Sequence, residues 1–135
     1  MRNPRDEQDR EPESEDFPSG EWVGFYQAFG SRHRQRMHLL FRNGEIVGDG
    51  IDDVGEFMIR GRYDAISRET WWTKSYPSHD VFYRGFGELE GIWGTWDIPP
   101  AHRGGFHIWP RYHGEGEGKR AHTEAEEPAS VSVGG

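Results

Sequence analysis

The sequence predicts an all-β fold, an eight-stranded antiparallel up-and-down β-barrel with disordered acidic termini. The first observation is composition, because aromatic residues make up 14% and glycines number 19 while hydrophobic content is only 33%. Few aliphatic residues among many aromatics and glycines favour short strands and tight turns over helices. The second observation is an alternation of apolar or aromatic residues with glycine from residue 85 to 96, repeated near Ile46 and Phe57. A period of two predicts strands, and recurring glycines mark bends or close backbone approaches.

Eight strand-like segments follow one another without an intervening capped helix. The first is entered through Pro18, Ser19 and Gly20, and Asn43–Gly44 after the second is a strong two-residue hairpin signal. Sequential strands joined by short turns form a meander, and eight of them commonly close into a barrel. The predicted strands are 22–28, 36–42, 45–50, 56–63, 69–74, 81–87, 92–97 and 106–109.

The two ends of the chain carry most of its net charge of −8. Residues 1–19 hold seven acids and three bases, and residues 113–135 hold five acids and two bases. Segments this polar bury too little apolar surface to offset the entropy lost on ordering. The sequence therefore predicts a barrel domain over 20–112 between a disordered acidic tail at 1–19 and another at 113–135.

Side-chain parity assigns the two faces of the barrel. In the second strand Met37, Leu39 and Phe41 share one face, opposite Arg36 and His38, so the apolar set faces inward. Glycines then fall on the inner face of several strands, which has two explanations. They permit the strong coiling that a small barrel needs, or they leave the interior partly hollow. The inward glycines are Gly24, Gly48, Gly50, Gly61, Gly85 and Gly94.

Lys74 is the only lysine between the two tails and is in phase with the inward Trp72. A regular strand therefore aims its ammonium at the barrel interior, where desolvation lowers the proton affinity of an amine. Such a lysine serves as a base, a Schiff-base amine or an anion anchor. A strand that frays at this point leaves Lys74 in solvent instead.

The sequence gives little support for a metal, haem or calcium site. The seven histidines include no pair at ligand spacing, so no metal site and no haem or other cofactor are predicted. His107 has outward parity and is expected at the surface. The acids Asp49, Asp52, Asp53 and Glu56 gather at one turn without the spacing of a calcium loop, and we interpret them as structural.

Several functional classes are disfavoured. With no cysteine, disulfides and thiol catalysis are impossible, and no run of about 18 apolar residues predicts a membrane span. The first residues lack the apolar core of a secretory signal, so we expect a cytoplasmic protein without a membrane partner. Outward arginines such as Arg34 and Arg60 lie in a nearly neutral central region, so nucleic acid is not expected as a partner.

Two short motifs carry a resemblance to a known family. Residues 20–22 read Gly-Glu-Trp, which resembles the Gly-x-Trp opening of avidins and lipocalins, and residues 94–96 read Gly-Thr-Trp. The resemblance implies a calycin-like, streptavidin-like barrel with a ligand in its open mouth, stacked against tryptophans, and often tetramers. Avidins place a biotin-contacting asparagine where this chain has Gly24, so biotin is not the expected ligand. The spacing of four aromatics also resembles the avidin rhythm: Tyr63, Trp72, Tyr83 and Trp96.

Three functions are compatible with these patterns. The first is non-catalytic binding of a small apolar or aromatic molecule inside the barrel, with Lys74 as polar anchor. The second is an interaction or homo-oligomeric assembly module that uses the outward tryptophans Trp71, Trp93 and Trp109. The third is an enzyme working through Lys74 with Tyr76 or His79. The predicted ligand-binding residues are Trp22, Tyr26, Trp72, Lys74, Tyr83 and Trp96.

Overall fold

The structure, a computed structural model, describes residues 17–111, which form a closed barrel of eight antiparallel strands. Each strand pairs with the next, and β1 pairs with β8 to close the sheet. The predicted all-β up-and-down barrel is confirmed. The parts of the predicted tails at 1–16 and 112–135 lie outside the described residues. The strands are β1 (Gly20–Ala28), β2 (Ser31–Arg42), β3 (Glu45–Asp52), β4 (Glu56–Tyr63), β5 (Glu69–Ser75), β6 (Asp80–Glu88), β7 (Gly91–Ile98) and β8 (His102–Pro110).

Every strand except β4 is longer than the sequence predicted, and the extensions of β2 and β3 change the interior of the barrel. β2 begins at Ser31 rather than at residue 36, and β3 continues to Asp52 rather than ending at Gly50. The extension keeps the inward parity of both strands and pairs Gln35 with Asp52. Two polar residues thereby join the inner face of the barrel, where only apolar residues and glycines were expected on these strands.

The inward apolar set is confirmed. Side chains from all eight strands meet in one core, with Trp22, Ile46, Ile92 and Ile108 fully buried. Contacts between rings run through this core, as in the stacked pair of Trp72 and Tyr83, whose centroids are 5.4 Å apart. Burial of large aromatic side chains contributes most of the favourable free energy of a core like this one.

Phe17 closes the end of the barrel at which β1 begins, here called the plugged end. The sequence placed Phe17 in the N-terminal tail, yet its side chain is only 1% exposed. Its ring lies 5.3 Å from that of Phe41 and 5.0 Å from that of Tyr63, centroid to centroid. The Trp22 indole donates a hydrogen bond of 2.8 Å to the carbonyl of Pro18, which fixes the chain between Phe17 and β1.

Inner-face glycines lie where neighbouring strands approach too closely for a side chain. A Cβ on Gly61 would lie 2.0 Å from the carbonyl oxygen of Trp71, and one on Gly94 would lie 1.9 Å from that of Arg84. Gly24 and Gly48 are equally crowded by the backbones of adjacent strands. Of the two explanations for these glycines, the structure supports strong coiling of the sheet. Within residues 17–111, no helix has the length and hydropathy needed to cross a membrane.

Candidate functional site

A buried polar cluster lies inside the barrel, toward the end opposite Phe17, which we call the mouth. Lys74 is at its centre, 1% exposed, so its inward orientation is confirmed. Its ammonium lies 2.5 Å from a carboxylate oxygen of Asp52 and donates to Gln35 Oε1 at 3.0 Å and to the Tyr83 hydroxyl at 3.3 Å. The Tyr76 hydroxyl donates to the same carboxylate oxygen of Asp52. These five residues are the Lys74 cluster.

The barrel brings the cluster together from four strands. Gln35 and Asp52 are register partners on β2 and β3, and Lys74 comes from β5. Tyr83 follows on β6, two residues beyond Val81, the register partner of Lys74. Tyr76 lies just after β5, in a loop closed by the hydrogen bond from its own amide to the carbonyl of His79.

Aromatic rings surround the Lys74 ammonium. Its nitrogen lies 4.3 Å from the centroid of the Phe57 ring and 4.7 Å from that of Tyr26. The rings of Tyr76 and Tyr83 follow at 5.4 Å each. A cation at these distances from ring faces gains up to about 2 kcal/mol when the site is desolvated. The ion pair with Asp52 balances the charge of the cation that these rings surround.

Burial changes the proton affinities in the cluster. Desolvation lowers the pKa of Lys74 from 10.5 to about 8, against the opposing effect of the Asp52 carboxylate. Desolvation, together with the hydrogen bond to Asp52, raises the pKa of Tyr76, and desolvation also raises that of Tyr83. The cluster therefore holds an amine that is easily deprotonated among phenols that stay neutral.

A second carboxylate supports the cluster at the mouth. Asp53 accepts hydrogen bonds from the Tyr26 hydroxyl and from His33 Nδ1, each 2.5 Å long. The rings of Tyr26 and His33 stack with centroids 4.9 Å apart. Desolvation raises the pKa of Asp53, but the bonds from Tyr26 and His33 outweigh this effect and lower it overall. Burial and the bond to Asp53 raise the pKa of Tyr26.

The amide nitrogen of Gln35 is buried and makes no hydrogen bond of good geometry, although the Gln35 side chain lies close enough to the Tyr83 hydroxyl to oppose the rise in the pKa of Tyr83. The orientation of this amide is set by Lys74, whose ammonium needs Oε1 as an acceptor. An unsatisfied buried donor costs about 1–3 kcal/mol. Gln35 therefore presents a free donor to the interior next to the Lys74 ammonium.

The structure brings together most of the residues predicted to bind a ligand. Tyr26, Lys74 and Tyr83 meet directly, Trp72 stacks on Tyr83, and Trp96 contacts the edge of Tyr26 at 6.4 Å. Trp22 lies apart, against Phe41 near the plugged end. All six side chains face inward as predicted, and their role in binding stays a prediction.

Gln35 and Asp52 are the members of the cluster that sequence reasoning missed. Gln35 preceded the predicted start of β2, and Asp52 was interpreted as a turn acid. Asp52 does serve the turn, since its Oδ1 accepts from the amides of Val54 at 2.9 Å and Gly55 at 3.3 Å. The signal that would have found both was parity, because Gln35 is in phase with Met37 and Asp52 with Gly50.

The outward tryptophans lie in two separate places. Trp93 and Trp109 both contact His107, with the Trp93 ring stacked on the imidazole at 3.6 Å between centroids. His107 points outward as its parity predicts, but the expectation that it lies at the surface is wrong, because it is 0% exposed. Its Nε2 is 2.7 Å from the carbonyl oxygen of Glu90, and burial lowers the pKa of His107 to about 4.

Trp71 lies elsewhere on the outer face, 37% exposed, with Arg62 and Arg84 as its register partners on β4 and β6. Beside it is a groove of about 730 Å³ across β4–β8, here called the arginine groove. Its aromatic members include Phe82, which is 48% exposed. The outward side chains that line the groove are Arg60, Arg62, Trp71, Thr73, Phe82, Arg84, Thr95, Asp97 and Arg103.

No group of three histidine, aspartate or glutamate side chains within residues 17–111 is arranged to hold a metal ion. His79, weighed as a catalytic partner of Lys74, stacks on the Tyr76 ring at 4.9 Å between centroids and is hydrogen-bonded to Ser78. The His79 side chain is exposed, whereas Lys74 is buried.

Comparisons with known proteins do not assign the chain to a family. No family model, no curated protein and no solved structure matches it. The eight-stranded antiparallel barrel is compatible with a calycin-like fold.

Proposed function

We propose that the barrel binds a small aromatic or apolar molecule carrying a hydrogen-bond acceptor, and that the Lys74 cluster is its site. The observation that supports this proposal most directly is the free donor of Gln35 beside the buried ammonium of Lys74. An acceptor group on a ligand would satisfy that donor and share the ammonium with Asp52. The surrounding rings would cover the apolar part of the ligand, as in most small-molecule sites.

Tyr76 provides the entrance in this proposal. It belongs to the loop between β5 and β6 rather than to a strand, and a single hydroxyl hydrogen bond attaches its side chain to Asp52. Turning the ring outward opens the mouth without breaking any pairing between strands. The ligand would take the place of the ring against Phe57, which Tyr76 contacts edge-on at 5.8 Å between centroids.

The test uses anilinonaphthalene sulfonate, an aromatic anion whose emission rises in apolar sites. The full chain is expected to bind it at one site, and the double variant Asp52→Asn/Lys74→Met to bind at least about tenfold more weakly, a loss of 1.4 kcal/mol. The double variant removes both charges together, so neither is left buried and unpaired. Gln35→Leu is expected to weaken binding as well, because it removes the free donor.

Arg84→Gln is the matched control, since it removes an exposed cation from the outer face and leaves the cluster unchanged. Equal affinity in the native chain and in the double variant would contradict the proposal. Loss of binding in Arg84→Gln alone would place the anion on the outer face and contradict it too.

We propose partner binding through the outer face of β5–β7 as a second function. The observation that favours it is the exposure of Trp71, Phe82 and Phe86, at 37%, 48% and 40%, next to Arg84. Aromatic residues and arginine are the side chains enriched in protein interfaces. Light scattering on the full chain and on Trp71→Ser tests the homo-oligomeric form: an oligomer that dissociates in the variant would support this form, and a native chain that is monomeric would contradict it.

A further inference from the structure

Positive charge exceeds negative charge among the residues that line the arginine groove, and Glu45 is the acid that faces Arg62 from the neighbouring strand β3. Among its lining residues are four arginines and one acid, Asp97. Asp97 lies 3.8 Å from Arg103, and both side chains are exposed. Within residues 17–111, no carboxylate comes within ion-pair distance of Arg60, Arg62 or Arg84. The groove therefore suits an anionic occupant.

The described chain begins next to this groove. Phe17 contacts the ring of Tyr63, the residue that follows Arg62 along β4. Thr70, the register partner of Tyr63, precedes Trp71 on β5. A chain that continues from Phe17 toward the N-terminus thus starts beside the Arg62 and Trp71 end of the groove.

The segment immediately before Phe17 is strongly acidic. Residues 11–16 read Glu-Pro-Glu-Ser-Glu-Asp and contain four acids and no base. Six extended residues span about 20 Å, and the five strands beneath the groove, β4–β8, span about 19 Å at their usual spacing. The length and the charge of the segment both match the groove.

We propose that the acidic segment 11–16 docks in the arginine groove of its own chain. The inference builds on the second function proposed above and names an occupant for that surface. Carboxylates of the segment would pair with Arg60, Arg62 and Arg84, and Trp71 would be covered. An external anionic partner would then have to displace the segment, so docking in cis makes the groove self-inhibited.

The C-terminal acidic stretch is less suited to this groove. It follows Arg111, whose amide donates to the carbonyl of Glu21 at 2.7 Å on the β1–β8 side of the barrel. It also carries Lys119 and Arg120 among its acids. An intramolecular arrangement is favoured over a second copy because the attachment at Phe17 holds the segment at a high effective concentration.

The absence of cysteine allows a direct test by paramagnetic relaxation. A nitroxide attached to the variant Ser14→Cys is expected to erase the NMR signal of the Trp71 indole N–H, which a Trp71→Phe variant identifies. The Trp109 indole, on β8 and away from the groove, reports background broadening. The Trp71 signal is expected to return in the triple variant Arg60→Gln/Arg62→Gln/Arg84→Gln and at about 1 M salt, where screening is strong.

A nitroxide on Ser130→Cys, in the C-terminal stretch, is the matched control and is expected to spare Trp71. An unaffected Trp71 signal with the label at residue 14 would overturn the proposal, as would broadening of that signal only with the label at residue 130. Broadening in mixtures of labelled chains with unlabelled, isotope-enriched chains would overturn it too, because it would place a second copy in the groove. The measurement detects the segment itself. A groove that binds external partners while the segment stays away would thus refute docking in cis without refuting the second function.

Discussion

Lys74 is the residue on which the interior of the barrel depends. Asp52 pairs directly with its ammonium, Asp53 adds a weaker attraction without direct contact, and the other contacts of the ammonium are neutral oxygens and ring faces. A buried pair of this kind is not an efficient source of stability, because desolvation offsets much of the attraction between the charges. Removing only one partner is a different matter, since it leaves the other charge buried and unpaired.

The paired replacement separates these effects. We expect Asp52→Asn to lower the free energy of unfolding by about 3 kcal/mol and Asp52→Asn/Lys74→Met to lower it far less. Urea denaturation of the native chain and both variants measures the two differences. Equal destabilisation by the single and double variants would show that the ion pair itself, and not an uncompensated charge, holds the cluster.

The pKa of Lys74 sets a pH dependence whose sign follows from proton linkage. Between about 8 and 10.5 the unfolded chain binds more protons than the folded chain at Lys74, so stability rises with pH there. Above about 10 the tyrosines of the unfolded chain ionise while Tyr26, Tyr76 and Tyr83 stay protonated in the fold, and this reverses the trend. The carboxylates that face the Lys74 ammonium are those of Asp52 and Asp53.

We therefore expect the free energy of unfolding to increase by about 2 kcal/mol between pH 8 and 10. Denaturant titrations at several pH values measure it, and Asp52→Asn/Lys74→Met provides the reference curve without the lysine. A native curve parallel to the reference would contradict a lowered pKa of Lys74. NMR titration of lysine carbons gives the pKa directly, since the chain has only Lys74 and Lys119.

At the scale of strands, the absence of a side chain on inner-face glycines allows adjacent strands to approach closely. Gly94 on β7 and Gly105 on β8 make a matched pair, because a Cβ on Gly94 would meet the backbone of β6 at 1.9 Å whereas one on Gly105 meets nothing closer than 3.7 Å. We expect Gly94→Ala to destabilise the barrel by about 3 kcal/mol or more, and Gly105→Ala to be nearly neutral. Thermal unfolding of both variants tests this, and similar melting temperatures would contradict it.

Strand parity explains how much of the architecture could be predicted from the sequence. Alternation fixed the inward faces of β2 and β4, and the same period placed Lys74 inside. Strand ends were less predictable, because Asp52 also makes the turn that follows β3, and turn acids are common. The Lys74 cluster was therefore predicted without its carboxylate, since the pairing of Gln35 with Asp52 is a tertiary property of the register.

Burial on the outer face could not be predicted from parity. His107 has outward parity but is covered by Trp93, Trp109 and Phe25. Alternation predicts the face on which a side chain lies. It does not predict whether side chains on neighbouring strands bury that side chain. Three rings from two neighbouring strands and from β8 itself were enough to exclude water.

At the scale of the whole molecule, Phe17 joins the N-terminal part of the chain to the barrel core. Phe17→Ala is expected to lower the free energy of unfolding by about 3–5 kcal/mol, the usual cost of removing a buried phenylalanine ring. Phe29→Ala is the control, because that ring is 89% exposed. Equal free energies of unfolding for the two variants in urea would show that the Phe17 side chain does not stabilise the barrel.

Closure of the sheet has a consequence for how any partner is recognised. Within residues 17–111 every strand has a hydrogen-bonded neighbour on both sides, because β1 and β8 pair with each other. Recognition by β-augmentation, in which a peptide adds itself as an extra strand, requires an unpaired backbone edge. Strands β1–β8 offer no such edge along the wall of the barrel, so a partner that docks on the wall must be recognised through side chains. Substitutions of outward side chains can therefore change which partner binds without altering the hydrogen bonds between strands.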